Sequence, residues 1–304
     1  MSRRELDAAG IREPFLRSSY EACRQLNAQH GKTYYLATRL LPPAKRPYVH
    51  ALYGFARYAD EIVDDMASTL GPQEKADQLR TWGQRFLVDL DRGSSDDPIC
   101  AAVVDTVNRW QIPRGYFVAF LRSMEMDLTV TEYVTYPDLI EYVYGSAAVI
   151  GLQTLPVLEP VDDAAYDSAA ALGTAFQLAN FVRDVGEDLD RGRVYLPMED
   201  LRRFELTRAD LERRVVDDRV RQLLRYQIAR VRRLDQESRP GIALLDPTSR
   251  PCIEAARVLY CGIVDEVERI DYQVFDRRAT VSVPRRLAVA LPAWARAVRA
   301  RHAA

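Results

Sequence analysis

Two short acidic runs mark where this chain could do chemistry: Asp60-Glu-Ile-Val-Asp64 and Asp184-Val-Gly-Glu-Asp188. In each, two aspartates stand four residues apart, about 40° around a helix, so both carboxylates leave the same face. That spacing alone is weak. With 44 acids in 304 residues, chance supplies about six acid-x-x-x-acid pairs, and most of these are solvated helix faces.

The neighbouring residues argue for more. Ahead of the second pair runs Ala169-Ala-Ala-Leu-Gly-Thr-Ala-Phe-Gln-Leu-Ala-Asn-Phe-Val182, apolar or small nearly all round. A helix of that kind is buried, and it keeps carboxylates on one stripe only if something neutralises them. Asn180 lies one turn before Asp184, so Asn180, Asp184 and Asp188 form an oxygen-rich column with Glu187 beside it. On the first helix Tyr53, Ala56, Arg57, Asp60 and Asp64 share a face, flanked by Ile62 and Val63. Oxygen donors without His or Cys suit a hard cation such as Mg²⁺, which takes one or two carboxylates plus phosphate oxygens and water. Arg57 and Arg183, one beside each column, suit a phosphate oxyanion, or else balance the acids next to them. Together the columns predict a diphosphate held by Mg²⁺ in a cavity between helices.

A third segment would wall that cavity. Tyr142, Ala147, Ile150, Gly151 and Leu155 belong to one helix, with small residues at Gly145, Ser146, Ala147 and Ala148. Small residues either leave room for a long ligand or let another helix approach closely. Sixteen tyrosines stand against nine phenylalanines, and tyrosine faces can stabilise a cation.

The elements needed to position these groups are helical. Apolar residues recur every three or four positions from Pro47 to Asp65. Breaks at Gly71-Pro72 and at 93–98 bound a helix to about Leu90, and further helices are expected at 98–110 and 113–127. Pro137 opens a long helix to about Leu158. Asp162 or Asp163 caps the next, which runs to about Asp190. Thr207-Arg-Ala-Asp210 has the pattern of a helix start. Long helices at 217–236 and 250–276 follow, and a last one begins near Pro284. Period-2 alternation is confined to Thr129–Tyr136, read as a loop or a single edge strand. The expectation is one all-α domain over residues 1–304, with about ten helices.

Composition removes several alternatives. Basic and acidic residues number 42 and 44, a net charge of −2, so no nucleic-acid partner is expected. Hydrophobic residues at 48% and charged residues at 28% describe a folded chain. The four cysteines form no CxxC pair, and His30, His50 and His302 sit in neither HExxH nor ExxH, which removes common zinc and di-iron sites. No apolar run follows the first arginines, and the stretch Gly145–Leu158 is too short to span a bilayer. The protein is read as cytoplasmic, with one qualification. The tail, 284–304, holds Arg285, Arg286, Arg296, Arg299 and Arg301, no acid, and an apolar run from Leu287 to Ala295. Such a helix lies peripherally on an anionic membrane at its inner face, or docks its apolar side on the core.

Longer motifs carry a family resemblance. The run Tyr53-Gly-Phe-Ala-Arg57-Tyr-Ala-Asp60-Glu-Ile-Val-Asp64-Asp65 and the run Gln177-Leu-Ala-Asn180-Phe-Val-Arg183-Asp184-Val-Gly-Glu-Asp188-Leu-Asp-Arg-Gly-Arg-Val-Tyr195-Leu-Pro197 resemble the two aspartate-rich motifs of the squalene/phytoene synthase family of head-to-head prenyltransferases. The similarity is greatest to its actinobacterial-type phytoene synthases and extends from about Cys23 to Leu291. His30-Gly-Lys-Thr-Tyr-Tyr35, Tyr142-Val-Tyr-Gly-Ser-Ala-Ala-Val-Ile-Gly151 and Tyr260-Cys-Gly-Ile-Val-Asp-Glu266 add to it.

The resemblance implies an all-helical class I isoprenoid synthase fold around a central cavity. It implies that Asp60, Asp64, Asn180, Asp184 and Asp188 hold Mg²⁺, with Mn²⁺ as a substitute. It assigns substrate contacts to Gly31, Lys32, Thr33, Tyr34, Tyr53, Arg57, Gln177, Arg183, Tyr195 and Tyr260, and places Tyr142 near the reacting carbons. The implied reaction joins two geranylgeranyl diphosphates through a cyclopropyl intermediate into phytoene, without NADPH, as a step towards carotenoids, with downstream carotenoid enzymes as partners. One departure stands out: the family commonly reads Val-Ala-Gly where this chain reads Ser146-Ala147-Ala148, which bears on chain-length choice. The competing readings are a squalene, presqualene diphosphate or dehydrosqualene synthase acting on farnesyl diphosphate, and a non-catalytic helical scaffold. No GxGxxG fingerprint supports a dinucleotide, and buried carboxylates left unneutralised would be a costly relic in a scaffold.

Overall fold

The computed structural model describes residues 3–64 and 70–303, apart from the side chain of Asp64. Asp65, the end of the first acidic motif, lies outside the described residues. The helices are α1 (Arg3–Ala8), α2 (Pro14–His30), α3 (Lys32–Thr38), α4 (Arg46–Asp64), α5 (Pro72–Arg92), α6 (Cys100–Trp110) and α7 (Arg114–Met126). α8 (Tyr136–Val143) leads through a π turn (Tyr144–Ala148) into α9 (Val149–Thr154) and a 3₁₀ turn (Leu155–Leu158). Then come α10 (Ala164–Arg183), α11 (Val185–Asp190), α12 (Met198–Arg203), α13 (Arg208–Glu212), α14 (Asp218–Ala243), α15 (Arg250–Cys261), α16 (Ile263–Arg269) and α17 (Val283–Ala303). Among the described residues there is no strand; two isolated bridges, Glu132 with Val194 and Pro160 with Leu245, pin loops. The Thr-rich run 129–136 is one of those loops.

Helix starts follow their local chemistry. Thr135 and Thr207 each accept from the backbone of an aspartate three residues on, Asp138 and Asp210, whose carboxylates accept in return from the threonine N–H. Asp217 caps α14 by accepting from Val220 N at 2.9 Å.

Helix interiors depart from the sequence reading in four places. The expected 137–158 helix is interrupted by the π turn, and the 162–190 helix breaks at Asp184. The 250–276 helix breaks at Gly262 and ends at Arg269. Conversely, α14 continues past its expected end through Pro240, although the proline forfeits a backbone bond. Close packing against α10 explains that persistence: a Cβ on Gly241 would collide with Ser168.

The core forms two clusters. One gathers the inner stripes of α2, α4, α5, α6 and α7, where Phe55 meets Phe86 at 4.4 Å and Trp82 at 5.1 Å between ring centroids. The other gathers Phe181, Tyr142 and Tyr195 with apolar residues of α14 and α16. α10 lies between them, packed along α14 and against the π turn. No described helix is long and apolar enough to cross a membrane.

Candidate active site

α4 shows how one helix serves core and site at once. Leu52, Phe55 and Ala59 are buried on its inner stripe, while Tyr53, Ala56, Arg57 and Asp60 line a cavity of about 340 Å³. Across the cavity α10 contributes Ala165, Ala169, Leu172, Phe176, Gln177 and Asn180. These positions follow the 3–4 spacing of one helix face and span about 22 Å at 1.5 Å per residue. Ser146, Ala147, Ile150 and Gly151 form a third wall, α15 adds Ile253, Ala256 and Tyr260, and Leu158 and Leu245 sit at the far end. The result is a long, mostly apolar compartment with its charged and amide groups at one end.

The small residues serve both purposes left open by the sequence. A Cβ on Gly151 would stand 2.7 Å from the Ala169 carbonyl oxygen, and one on Gly173 would stand 2.6 Å from that of Ala147. These glycines let backbones approach. Ala147, Ala165 and Ala169 keep the space between them open.

Four aromatic residues flank the polar end. Tyr34 and Tyr53 lie 5.4 Å apart, and Phe176 stacks on Tyr260 at 4.7 Å. Burial pushes the Tyr53 hydroxyl up to about 12 and raises those of Tyr34 and Tyr260, so all three are neutral phenols at pH 7. Gly31 lies under the Tyr53 ring, which leaves no space for a side chain there.

The charged groups are pre-paired. Arg57 Nε donates to Glu61 at 3.2 Å. Arg183 Nε donates to Asp184 at 2.6 Å, and Arg278, from the loop after α16, reaches Asp184 at 3.1 Å and Glu187 at 3.3 Å. Asp188 is different. Burial, with the Asp184 charge close by, raises its carboxyl to about 8. It faces a small hollow shared with Arg193, Tyr195 and Phe181. Two side chains in the main cavity hold buried oxygens with no hydrogen-bond partner, Asn180 Oδ1 and Ser146 Oγ. Unsatisfied buried polar atoms are costly, so their presence here points to a ligand that supplies the missing partner.

The structure thus brings Tyr34, Tyr53, Arg57, Asp60, Gln177, Asn180 and Tyr260 onto the cavity, with Arg183 and Asp184 beside it. The side chain of Asp64 lies outside the described residues. Among those described, no three His, Cys, Asp or Glu side chains stand close enough to form a metal cluster. Asp184 is engaged by two arginines, and Asp188 turns to its own hollow because the helix breaks between Asn180 and Asp188.

Lys32 and Thr33 do not line the cavity either, and Lys32 is exposed. Tyr142 and Tyr195 are not on the lining of this cavity. Both are buried behind the wall, not on it, and both hydroxyls donate to Asp127, at 2.7 and 2.8 Å. On a regular helix Tyr142 would share a face with Ser146. The π turn between them widens the coil, so Ser146 faces the cavity and Tyr142 does not.

Sequence reasoning missed Arg278 and Asp127. Neither belongs to a spaced motif, and Arg278 meets Asp184 across 94 residues of chain.

Comparison with known proteins bears on the family and the fold. The profile of the family described as squalene/phytoene synthase matches residues 27–285. A 15-cis-phytoene synthase of Synechocystis sp. is 40% identical over 92% of this chain and 85% of its own. A phytoene synthase of Arthrospira platensis is 41% identical over 89% of this chain and 91% of its own. Among solved structures, a dehydrosqualene synthase in complex with ligand superposes with a TM-score of 0.84 at 28% identity, covering 93% of this chain and 98% of that one. A squalene synthase from Alicyclobacillus acidocaldarius gives 0.79 at 26% identity, with 87% and 98% covered.

Proposed function

The chain belongs to the squalene/phytoene synthase family, and from that premise we propose that it joins two geranylgeranyl diphosphates head to head (1′-1) into phytoene, the entry step to carotenoids. It is a prenyltransferase with the all-α fold of that family. One observation carries the reading: a long, mostly apolar compartment whose charged end gathers Asp60, Arg57, Gln177 and Asn180, with the Asn180 oxygen left without a partner among the described residues.

Asn180 Oδ1 is an oxygen donor awaiting a partner, and the donor set around it contains oxygen alone. Both fit Mg²⁺. Asp60, Asp64, Asn180, Asp184 and Asp188 would hold it, and when bound it neutralises charge on the departing diphosphate. The protein's own groups do the rest. Arg57 and Arg183 exchange their carboxylate partners for diphosphate oxygens, and Arg278 adds a third guanidinium. Gln177, on the cavity wall and without a hydrogen-bond partner among the described residues, orients the bound head group. The neutral faces of Tyr34, Tyr53, Phe176 and Tyr260 border the place where an allylic cation forms. The apolar walls exclude the water that would quench it. The cyclopropyl intermediate keeps one diphosphate, so a second ionisation would meet the same guanidinium groups of Arg57, Arg183 and Arg278. Loss of a proton then ends the sequence without a reductant. Tyr142 and Tyr195, locked to Asp127, support the wall from behind. A hydrocarbon product must pass to a lipid phase, so we place the protein peripherally at the inner face of the membrane.

The second reading, a C30 synthase acting on farnesyl diphosphate, is favoured by the dehydrosqualene and squalene synthases among the solved structures. Purified protein with Mg²⁺, given each diphosphate separately with and without NADPH, decides between them. The expected result is a C40 hydrocarbon from geranylgeranyl diphosphate without NADPH. A C30 product alone moves the assignment to the second reading, and no product from either overturns both.

A further inference from the structure

We propose that the outer face of α17, with the adjoining end of α3, is a docking surface for an anionic lipid bilayer. α17 divides into three sides. Ala293 and Ala297 are fully buried and hold the helix on the body of the protein. Val283, Leu287, Leu291 and Trp294 are 60, 52, 63 and 58% exposed, and at 100° per residue they fall within about 80° of one another. Arg296 and Arg299, also exposed, occupy the third side. The helix thus docks through two alanines with Val289 partly buried beside them, and leaves its largest apolar residues in water, the reverse of a packed terminal helix.

Charge names the occupant. α17 contains no acid. Arg285 is neutralised by Asp265 and Glu266 at 2.9 and 2.8 Å, whereas Arg296 and Arg299 form no ion pair among the described residues. Arg301 Nη2 reaches the Leu40 carbonyl at 3.4 Å, which joins the end of α17 to the end of α3. There Leu36 is 51% exposed and Arg39 is exposed. An apolar arc containing an amphipathic Trp, bordered by unpaired arginines, fits the boundary between acyl chains and anionic head groups. A second copy fits worse: a two-fold pairing of this face with itself sets arginines near arginines. α17 rests on α15, whose Ile253, Ala256 and Tyr260 wall the cavity. The surface is therefore one helix away from the compartment. Its use as an exit for a hydrocarbon rests on the proposed reaction, but the binding itself does not.

The test is flotation of the full chain with vesicles of phosphatidylcholine alone or mixed with phosphatidylglycerol, with tryptophan fluorescence as a second readout. Trp294 is exposed, while Trp82 and Trp110 are half-buried, so a blue shift reports the docking face. Wild type should float with mixed vesicles and be released by salt. Each arginine near an anionic surface is worth about fivefold in affinity, so the pair Arg296→Glu and Arg299→Glu should lose at least about 25-fold. The pair Leu291→Asp and Trp294→Asp should lose binding to both vesicle types. All four positions are exposed, so thermal unfolding and turnover in a detergent assay should match wild type.

Failure of wild type to bind mixed vesicles overturns the proposal, as does wild-type binding by both double variants. A dimer that Leu291→Asp and Trp294→Asp splits gives the face to a second copy instead. Binding without any turnover would remove the reaction and leave the surface standing.

Discussion

The two acidic motifs share a spacing and differ in backbone. In α4 the helix runs unbroken, and Tyr53, Ala56, Arg57 and Asp60 form one stripe along the cavity. In the second motif the helix ends at Arg183 and restarts at Val185, with Asp184 at φ −101° and ψ 15° as the joint. Asn180 therefore faces the cavity, Asp184 faces the arginines, and Asp188 faces a separate hollow. Just past the joint is Gly186, where a Cβ would stand 2.6 Å from the Phe275 carbonyl oxygen and 2.8 Å from that of Val274. The break lets this loop approach, and the loop brings Arg278 to Asp184. One motif presents ligands rigidly, and the other holds them with partners that must be exchanged.

The largest effect should come from the motifs themselves. Asp60→Asn and Asp184→Asn should each lower kcat/KM by about 1,000-fold, the scale of losing one group that meets developing charge. Circular dichroism should show the fold retained. If only one of the two substitutions matters, the motifs are not equivalent partners and the shared cavity is misassigned.

Gly186→Ala tests the joint. The added methyl meets backbone and not a movable side chain, so stability should fall by about 1–3 kcal/mol in urea unfolding. Activity should fall further than stability, because Arg278 is displaced with the loop. A variant as stable and active as wild type would show that the approach of residues 274–275 does not set the break.

The straight motif has its own weak point. His50, on α4, is buried against Asn27 at 2.9 Å, and burial holds its pKa down to about 3. The folded protein keeps His50 neutral, while the unfolded chain takes up a proton below about pH 6.5. His50 therefore adds nothing to the pH dependence above that value, and stability falls by about 1.4 kcal/mol per unit as pH drops from 6.5 towards 3. At pH 5 the loss is about 2 kcal/mol, and it should vanish from the difference between pH 7.5 and pH 5 in His50→Gln. Equal pH dependence in both proteins would contradict the neutral-histidine account.

Asp188 gives the second motif a different pH signature. With its carboxyl raised to about 8, it is mostly protonated at pH 7, and a cation that binds it must expel the proton. Mg²⁺ affinity should rise about tenfold per pH unit up to about pH 8 and then level off. Calorimetry in buffers of different ionisation enthalpy would count the proton released. Pairing this with Asp188→Asn, which should flatten the profile, assigns the proton to that residue.

The comparison also shows what a sequence can carry. Period and capping residues located the helices because they record which side chains are buried and which backbone groups need partners. Thr135 and Thr207 open helices as their motifs require. The stripe on α4 was legible in full up to Asp60, because a straight helix turns spacing directly into direction. The breaks at Asp184 and at the π turn were not legible. Both coincide with a distant backbone closing on a glycine, Gly186 against 274–275 and Gly145 against Ala119, and no local period records such contacts. This is why the sequence places Tyr142 on the cavity wall together with Ser146, whereas only Ser146 lies there.

Arg278 is the smallest effect expected and the one that sharpens the comparison most. Its side chain is half exposed, so its bonds to Asp184 and Glu187 add little to stability, and Arg278→Gln should unfold as wild type does. If the second motif works by exchange, the guanidinium leaves Asp184 when diphosphate binds, and its loss should be felt in binding. KM for the diphosphate should rise about tenfold, the worth of one charge-assisted contact, with kcat changed less. Arg278→Lys should recover part of the loss, since a point charge still attracts phosphate but cannot match the planar fork. A change in kcat alone would place Arg278 at the departing charge and not at binding. No change in either parameter would mean that the second motif, like the first, presents its groups without help from the loop.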